Sequence, residues 1–428
     1  MCEGSFLMKK YISILLLLAL FLTMAACAGT PEPQAAAPSL SVGFGRAKIS
    51  PEKVVFMTGY GDDITRLSQG VLEELYVTCI AITDSTDKTI MLITADLLYA
   101  DMHPQVRGAV VKATGVPFEN IIYGTTHTHS GPKISDKNPT WLKQYYEYVA
   151  QAAKEAMDDR APSTVSIGSK HVDNLTFVRH YNVADGRVMG DNFWSDGQAP
   201  VSHRTEADDT LQLISFQREG KKPVVMINWQ GHATLSSTGM VGAKATRQML
   251  SSDYIGPCRD YVEAESDYLF AFFLSGSGNL NAYSRIEGEG LKDYKLYGQT
   301  LGQAVLSTLE TTVPVQSGAV ENTKKIQDVK SAKGNPGQIE FYAMAAGDIS
   351  FVNAPYEMFD TTAMAIKNNT PYKMTFVITV ANGEMGYMPT QECWDYPGCY
   401  EVKSCYFERG TAEIMEKAYL DVLAELHG

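Results

Sequence analysis

The chain reads as an α/β protein (mixed α+β), with mixed β-sheets flanked by helices in a single large domain. Three observations predict this. Short apolar, β-branched runs alternate with amphipathic stretches of helical period along the 428 residues. No internal repeat and no linker-like break interrupts the chain after residue 41. Apolar residues make up 45% and charged residues 20%, the balance of a chain that builds a packed core.

The N-terminus is organised differently. Lys9 and Lys10 precede an apolar stretch from Ile12 to Met24, and Met24-Ala25-Ala26-Cys27 follows. A basic end, an apolar core and small residues before the Cys form a secretory signal pattern. It resembles a bacterial lipoprotein signal, in which the Cys is lipidated. The run is short for spanning about 30 Å of hydrocarbon, so cleavage before Cys27 is expected. Met8 is the more natural start of such a signal. Residues 28–38 (AGTPEPQAAAP) are Pro- and Ala-rich without periodicity and read as a tether. The expected layout is a signal peptide over 1–26, a tether over 27–40 and a folded domain over 41–428. That domain would sit in the bacterial cell envelope, lipid-anchored to a membrane through Cys27 and facing outside the cytoplasm.

The formal charge is −13. Loss of Glu3, Lys9 and Lys10 with the signal peptide takes it one unit lower. Such a balance argues against nucleic-acid binding and against adhesion to anionic lipid by charge alone. No protein partner is indicated.

In chain order, Leu72–Asp84 and Lys88–Leu97 read as strands and His103–Thr114 as a helix. Asn120–Thr126 reads as a strand and Leu142–Asp158 as an amphipathic helix. Strands are predicted at Thr164–Val172, Asp209–Gln217, Pro223–Trp229 and Tyr268–Leu274. A helix follows over Leu296–Glu310. Strands return at Ile339–Ala345, Ile349–Ala354 and Lys373–Ala381, and Ala412–Leu426 closes the chain as a helix. Cys79, Cys258, Cys393, Cys399 and Cys405 are odd in number, so an exported monomer keeps at least one thiol. One pair among Cys393, Cys399 and Cys405, spaced by six, could staple a loop. Their spacing is wider than the usual zinc-module Cys pair, which favours a disulfide or free thiols over a metal.

Potential ligands gather after the strands. His127 and His129 lie in Thr125-Thr126-His127-Thr128-His129-Ser130-Gly131-Pro132. On a continuing strand, alternate residues share a face, so both imidazoles would project together, as at the start of a zinc site. An isolated H-x-H equally suits two hydrogen-bonded turn residues. His232 follows Val224–Trp229, and Glu357 follows Ile349–Ala354. A carboxylate among apolar neighbours, as Glu357 is, needs a partner such as a cation. Tyr387 lies in Gly386-Tyr387-Met388-Pro389-Thr390. Ser275-Gly276-Ser277-Gly278-Asn279-Leu280-Asn281 is neither a nucleophile elbow nor a P-loop. Five strand ends carrying candidate ligands point to a metal site at one sheet edge.

These segments resemble the neutral (alkaline, non-lysosomal) ceramidase family. Val42-Gly43-Phe44-Gly45-Arg46-Ala47-Lys48-Ile49-Ser50-Pro51 is similar to its opening strand, and Met57-Thr58-Gly59-Tyr60-Gly61 to its early glycine motif. Thr94-Ala95-Asp96 follows in family order, and Thr126–Pro132 is the most specific match. The resemblance implies Zn2+ held by His127, His232, Glu357 and Tyr387. It implies His129, Arg179 (in Phe177-Val178-Arg179-His180), Asn281 and Tyr400 as further site residues. Bound zinc would activate a water for attack on an amide carbonyl. His129 would carry the proton to the leaving amine, and Arg179 would hold the carbonyl oxygen or a substrate hydroxyl.

Two departures stand out. The family's Gly-Asp-Val-Ser-Pro-Asn loop corresponds to Gly278-Asn279-Leu280-Asn281-Ala282-Tyr283, so Asn281 replaces the serine. The family also carries a C-terminal β-sandwich domain, and the resemblance covers the catalytic domain only. The expected function is zinc-dependent hydrolysis of a small-molecule or lipid amide such as N-acyl-sphingosine. Alternatives are the same chemistry on another amide or ester, or a non-catalytic surface lipoprotein that binds lipid or glycan.

Overall fold

Alternation along the strands sorts the apolar side chains into separate layers. The computed structural model describes residues 40–61, 65–191, 199–237, 246–396 and 398–428. The predicted signal peptide and all but the last residue of the predicted tether lie outside them. In chain order the main strands are β1 (Leu40–Lys48), β2 (Tyr76–Asp84), β3 (Thr89–Ala95), β4 (Ile121–Thr125), β5 (Ala161–His171), β6 (Thr210–Arg218), β7 (Val224–Trp229) and β8 (Leu269–Leu274). They form a nine-stranded sheet in the order β8-β7-β6-β5-β1-β2-β3-β4, with Val313–Val315 also paired to β5. A second sheet contains β9 (Val320–Lys330), β10 (Pro336–Ala346), β11 (Ile349–Ala354) and β12 (Met374–Thr379), in that order.

The two sheets share a core. On β2, Ile80 and Ile82 pack with Tyr342, Met344 and Phe376 of the second sheet. The alternate residues Val77, Cys79 and Ala81 pack instead with helices α1 (His103–Thr114) and α2 (Pro139–Asp158). On β7, Val225, Ile227 and Trp229 join α3 (Ile255–Glu265) and α4 (Tyr294–Leu309). Helices α5 (Asp360–Asn369) and α6 (Thr411–His427) cover the outer face of the second sheet. The result is four layers: helices, large sheet, small sheet, helices. Each fully buried Leu, Ile, Val or Phe in them contributes roughly 1.5–3 kcal/mol.

Helix α2 lies unusually close to β1, and Gly43 and Gly45 are the reason. A Cβ at Gly43 would come within 1.8 Å of the Ala156 carbonyl oxygen, and one at Gly45 within 2.0 Å of that of Ala152. The Gly-x-Gly of this strand is therefore a packing requirement. Small Ala residues on the facing turns of α2 complete the fit.

Most pairings within the two main sheets are antiparallel, but three there are parallel: β3 with β4, β7 with β8, and β11 with β12. Each needs a helical crossover, supplied by α1, α3 and α5 respectively. These β-α-β units aim their carboxyl ends at one region, as in doubly wound sheets, where sites form outside the carboxyl ends of parallel strands.

The predicted α/β architecture holds. Every predicted strand and helix occurs, with ends displaced by up to four residues. Strand β9 and helices α3 and α5 were not predicted. Only Val320 and Val329 of β9 are buried, so this edge strand carries little apolar alternation. No helix of the described residues is long and apolar enough to cross a membrane.

Candidate metal centre

Six strand ends supply the site. Strand β4 stops at Thr125, and His127 adopts φ 60°. The two histidines therefore do not converge by strand alternation, as the sequence suggested. A left-handed turn at His127 swings its ring back toward His129. The ring centroids lie 5.1 Å apart at 87°. A non-glycine residue in this region costs about 1–2 kcal/mol, and such strain gathers at functional sites.

Backbone carbonyls set the ring orientations. His127 Nδ1 lies 2.9 Å from the Leu98 carbonyl oxygen, in the loop after β3. His232 Nδ1 lies 3.2 Å from that of Ser277, in the loop after β8. A carbonyl only accepts, so each Nδ1 carries the proton and each Nε2 presents a lone pair. His129 Nε2 is 2.9 Å from His232 Nε2. A backbone bond from His129 N–H to the Ala233 carbonyl, 3.1 Å, joins the two loops. Gly59, at φ 136°, leaves room for this arrangement, since a Cβ there would meet the His129 backbone at 2.8 Å.

Glu357 and Tyr387 arrive as a pair. Glu357–Met358 and Tyr387–Met388 form a two-residue parallel ladder. Glu357 Oε2 is 3.4 Å from His127 Nε2. Both atoms are buried without a hydrogen-bond partner. Leaving buried polar atoms unmatched costs about 1–3 kcal/mol each, and such atoms require an explanation. A cation between them would satisfy both. His127, His129 and His232 also form a cluster whose ligand atoms lie within 4.8 Å of one another. The donor set of imidazole nitrogens, carboxylate and phenol fits a metal ion.

The surroundings tune these groups. Burial, followed by the neighbouring imidazoles, pushes the pKa values of His129 and His232 well below the usual histidine value. Burial, then Glu357, raises that of Tyr387 far above the usual phenol range. Arg179 donates through Nε to Glu401 at 2.5 Å and through Nη2 to the Gly278 carbonyl at 2.7 Å. Its guanidinium sits 5.4 Å from the Tyr387 ring centroid and 6.0 Å from that of Tyr400. Above the cluster opens a cavity of about 440 Å3, whose lining includes Tyr60, His129, Arg179, His232, Tyr387 and Tyr400.

A scan against protein-family models and a search of curated proteins returned no match. Solved structures do match. Neutral ceramidase from Pseudomonas aeruginosa superposes with a TM-score of 0.72 at 14% identity, over 91% of this chain and 75% of that one. A structure of ceramidase complexed with C2 gives 0.72 and 14%, over 92% and 76%. The chain has a neutral ceramidase-like fold.

On this ceramidase-like scaffold the residues singled out in the sequence come together. His127, His129 and His232 cluster, Glu357 reaches His127 and is paired in register with Tyr387, and Tyr387, Arg179, Asn281 and Tyr400 line the cavity beside them. Thr94-Ala95-Asp96 serves packing: Asp96 pairs with Arg259 Nη1 at 3.0 Å and accepts from the Tyr76 N–H at 2.9 Å. Cys393 and Cys399 form a disulfide, while Cys79, Cys258 and Cys405 are buried thiols. The Leu98 and Ser277 carbonyls, Glu401 and Asp191 were not anticipated. The carbonyls carry no residue-type signal. Glu401 is adjacent to Tyr400 and could have been reached from it.

Proposed function

We propose that the chain is a zinc-dependent amidohydrolase of ceramidase type, cleaving a linear amide such as N-acyl-sphingosine. One observation carries this reading. His127 Nε2 and Glu357 Oε2 are buried 3.4 Å apart and unpartnered, beside two further imidazoles and beneath an open cavity.

His127, His232, Glu357 and Tyr387 would hold the metal. When bound, zinc supplies Lewis acidity and lowers the pKa of a coordinated water toward about 7. His129, kept neutral by burial, would accept a proton at its unprotonated ring nitrogen and return it to the leaving amine nitrogen. Arg179, fixed by Glu401 and the Gly278 carbonyl, would hold the carbonyl oxygen. Tyr400, whose ring meets that of Tyr387 edge to face at 5.5 Å, would line the same site. Asn281 cannot be acylated, so no acyl-enzyme is invoked.

Asn281 also supports a second reading, in which the same chemistry acts on a different amide or an ester. Lipidation at Cys27 would hold the enzyme on a membrane of the cell envelope, facing outside the cytoplasm and next to lipid substrates.

The test is release of fatty acid from labelled ceramide, simpler N-acyl amides and matched esters by wild type and His127→Ala, with metal analysis of both. About one equivalent of zinc and chelator-sensitive amide turnover by wild type alone are expected. Less than about half an equivalent of zinc, or turnover indifferent to chelation, overturns the reading.

A further inference from the structure

Asp191 lies outside every sequence motif and organises the cavity wall at the position of the replaced serine. It is 7% exposed. Its Oδ2 accepts from Asn281 Nδ2 at 3.1 Å and from the Tyr283 hydroxyl at 2.8 Å. Its Oδ1 accepts from Arg285 Nε. Its backbone N–H donates to the Arg179 carbonyl at 2.9 Å. The Asn281 backbone is held in turn by pairing with Phe177.

A carboxylate bonded to arginine is an acceptor only. Asn281 must therefore turn its NH2 toward Asp191 and its Oδ1 away. No described residue donates to that Oδ1, although Asn281 is only 4% exposed and lines the cavity. Tyr283 lines the same wall and has given its one O–H to Asp191. Burial, then Asp191, pushes the Tyr283 phenol pKa well up, so it keeps that proton. Both side chains are left with acceptor oxygens. A serine hydroxyl at 281 would be free to donate or accept.

We propose that Asp191 is a positioning residue that fixes Asn281 as an acceptor, so that the Asn281–Tyr283 wall selects amides carrying a hydroxyl or N–H donor beside the scissile bond. This rests on the amidohydrolase reading. A substrate lacking the donor leaves a buried acceptor unpaired, which translates into discrimination of about tenfold or more.

The experiment compares kcat/KM of the full chain for two matched pairs. One is an N-acyl-2-aminoethanol against the N-acyl-ethylamine of the same acyl chain. The other is a 2-hydroxyacyl against the plain acyl amide of one amine. Wild type is expected to prefer the hydroxyl-bearing member of at least one pair by about tenfold or more. Asp191→Asn supplies an amide in place of the carboxylate and frees Asn281 to turn. Asn281→Leu removes the acceptor while Asp191 stays bonded to Tyr283 and Arg285. Both variants should bring the ratio within about threefold of one. A purely structural role for Asp191 would slow both members equally and preserve the ratio, which overturns the proposal. Turnover of both members at equal rates by wild type also overturns it and leaves the hydrolase reading standing. No metal-dependent turnover of any member overturns both.

Discussion

Among the described residues, two clusters hold the residue types that bind metals, and they differ in what their atoms are doing. One is His127, His129 and His232, with Glu357 beside them; the other is His180, Cys393, Cys399 and Glu401. By composition the second has the more zinc-like donor set. Its donors are spent, however. The two sulfurs are joined to each other and are not thiolates. Glu401 accepts from Arg179 Nε and from His180 Nε2, at 2.5 and 2.9 Å. In the first cluster, His127 Nε2 and Glu357 Oε2, 3.4 Å apart, have no hydrogen-bond partner. Unused lone pairs, rather than residue types, separate a candidate centre from a closed structural cluster.

The largest effect expected from this contrast falls on the first cluster. His127→Ala should abolish zinc retention and reduce amide turnover well beyond the roughly 100-fold typical of losing an outer-sphere partner, while a thermal melt still shows a folded protein. Zinc content equal to wild type would remove the distinction. Next comes Glu401→Ala, which leaves Arg179 buried without its carboxylate. The expected cost is roughly 3–5 kcal/mol in urea unfolding, with zinc stoichiometry unchanged in the folded fraction. A loss of zinc with little loss of stability would place Glu401 in the metal centre and merge the clusters.

How much of this was visible in the sequence follows from the same contrast. Strand runs ending in His127, His232, Glu357 and Tyr387 were readable because buried β-branched segments have a strong pattern. Their convergence was only partly readable, because it depends on three parallel pairings that periodicity does not specify. The turn at His127 hid behind an H-x-H that looked like strand alternation. The Leu98 and Ser277 carbonyls, which fix both imidazole tautomers, belong to residues whose side chains say nothing about the role. Asp191 is separated from Asn281 by 90 residues, and nothing local to either announces the contact. Strand β9 was missed because its alternation is nearly all polar, as an exposed edge strand permits.

Acidity sharpens the comparison further. Burial alone would raise the Glu401 carboxyl, but Arg179 and His180 outweigh it and hold its pKa at about 2, against an ordinary value of 4.5. A depressed carboxylate contributes stability that is fully present above its unfolded pKa and is lost as pH falls through the folded one. Stability should therefore decline from about pH 4.5 toward pH 2, by about 3 kcal/mol from this group. Glu401→Gln removes the titrating carboxyl, so its unfolding midpoint should depend less steeply on pH over that window. Identical pH slopes in the two proteins would show that the ion pair does not form.

The smallest effect concerns the disulfide that closes the second cluster. Cys393 and Cys399 are six residues apart, and so short a loop gives up little chain entropy on closure. Replacing both by Ser should cost about 2 kcal/mol in urea unfolding. Reduction of the wild-type protein sets thiols beside His180 and Glu401, which is the one way to return donors to that cluster. Metal analysis after reduction should still find one equivalent of zinc, because Glu401 remains committed to Arg179. A second tightly held equivalent would mean that sulfur oxidation alone keeps the second cluster closed, and that the ion pair yields when thiolates become available.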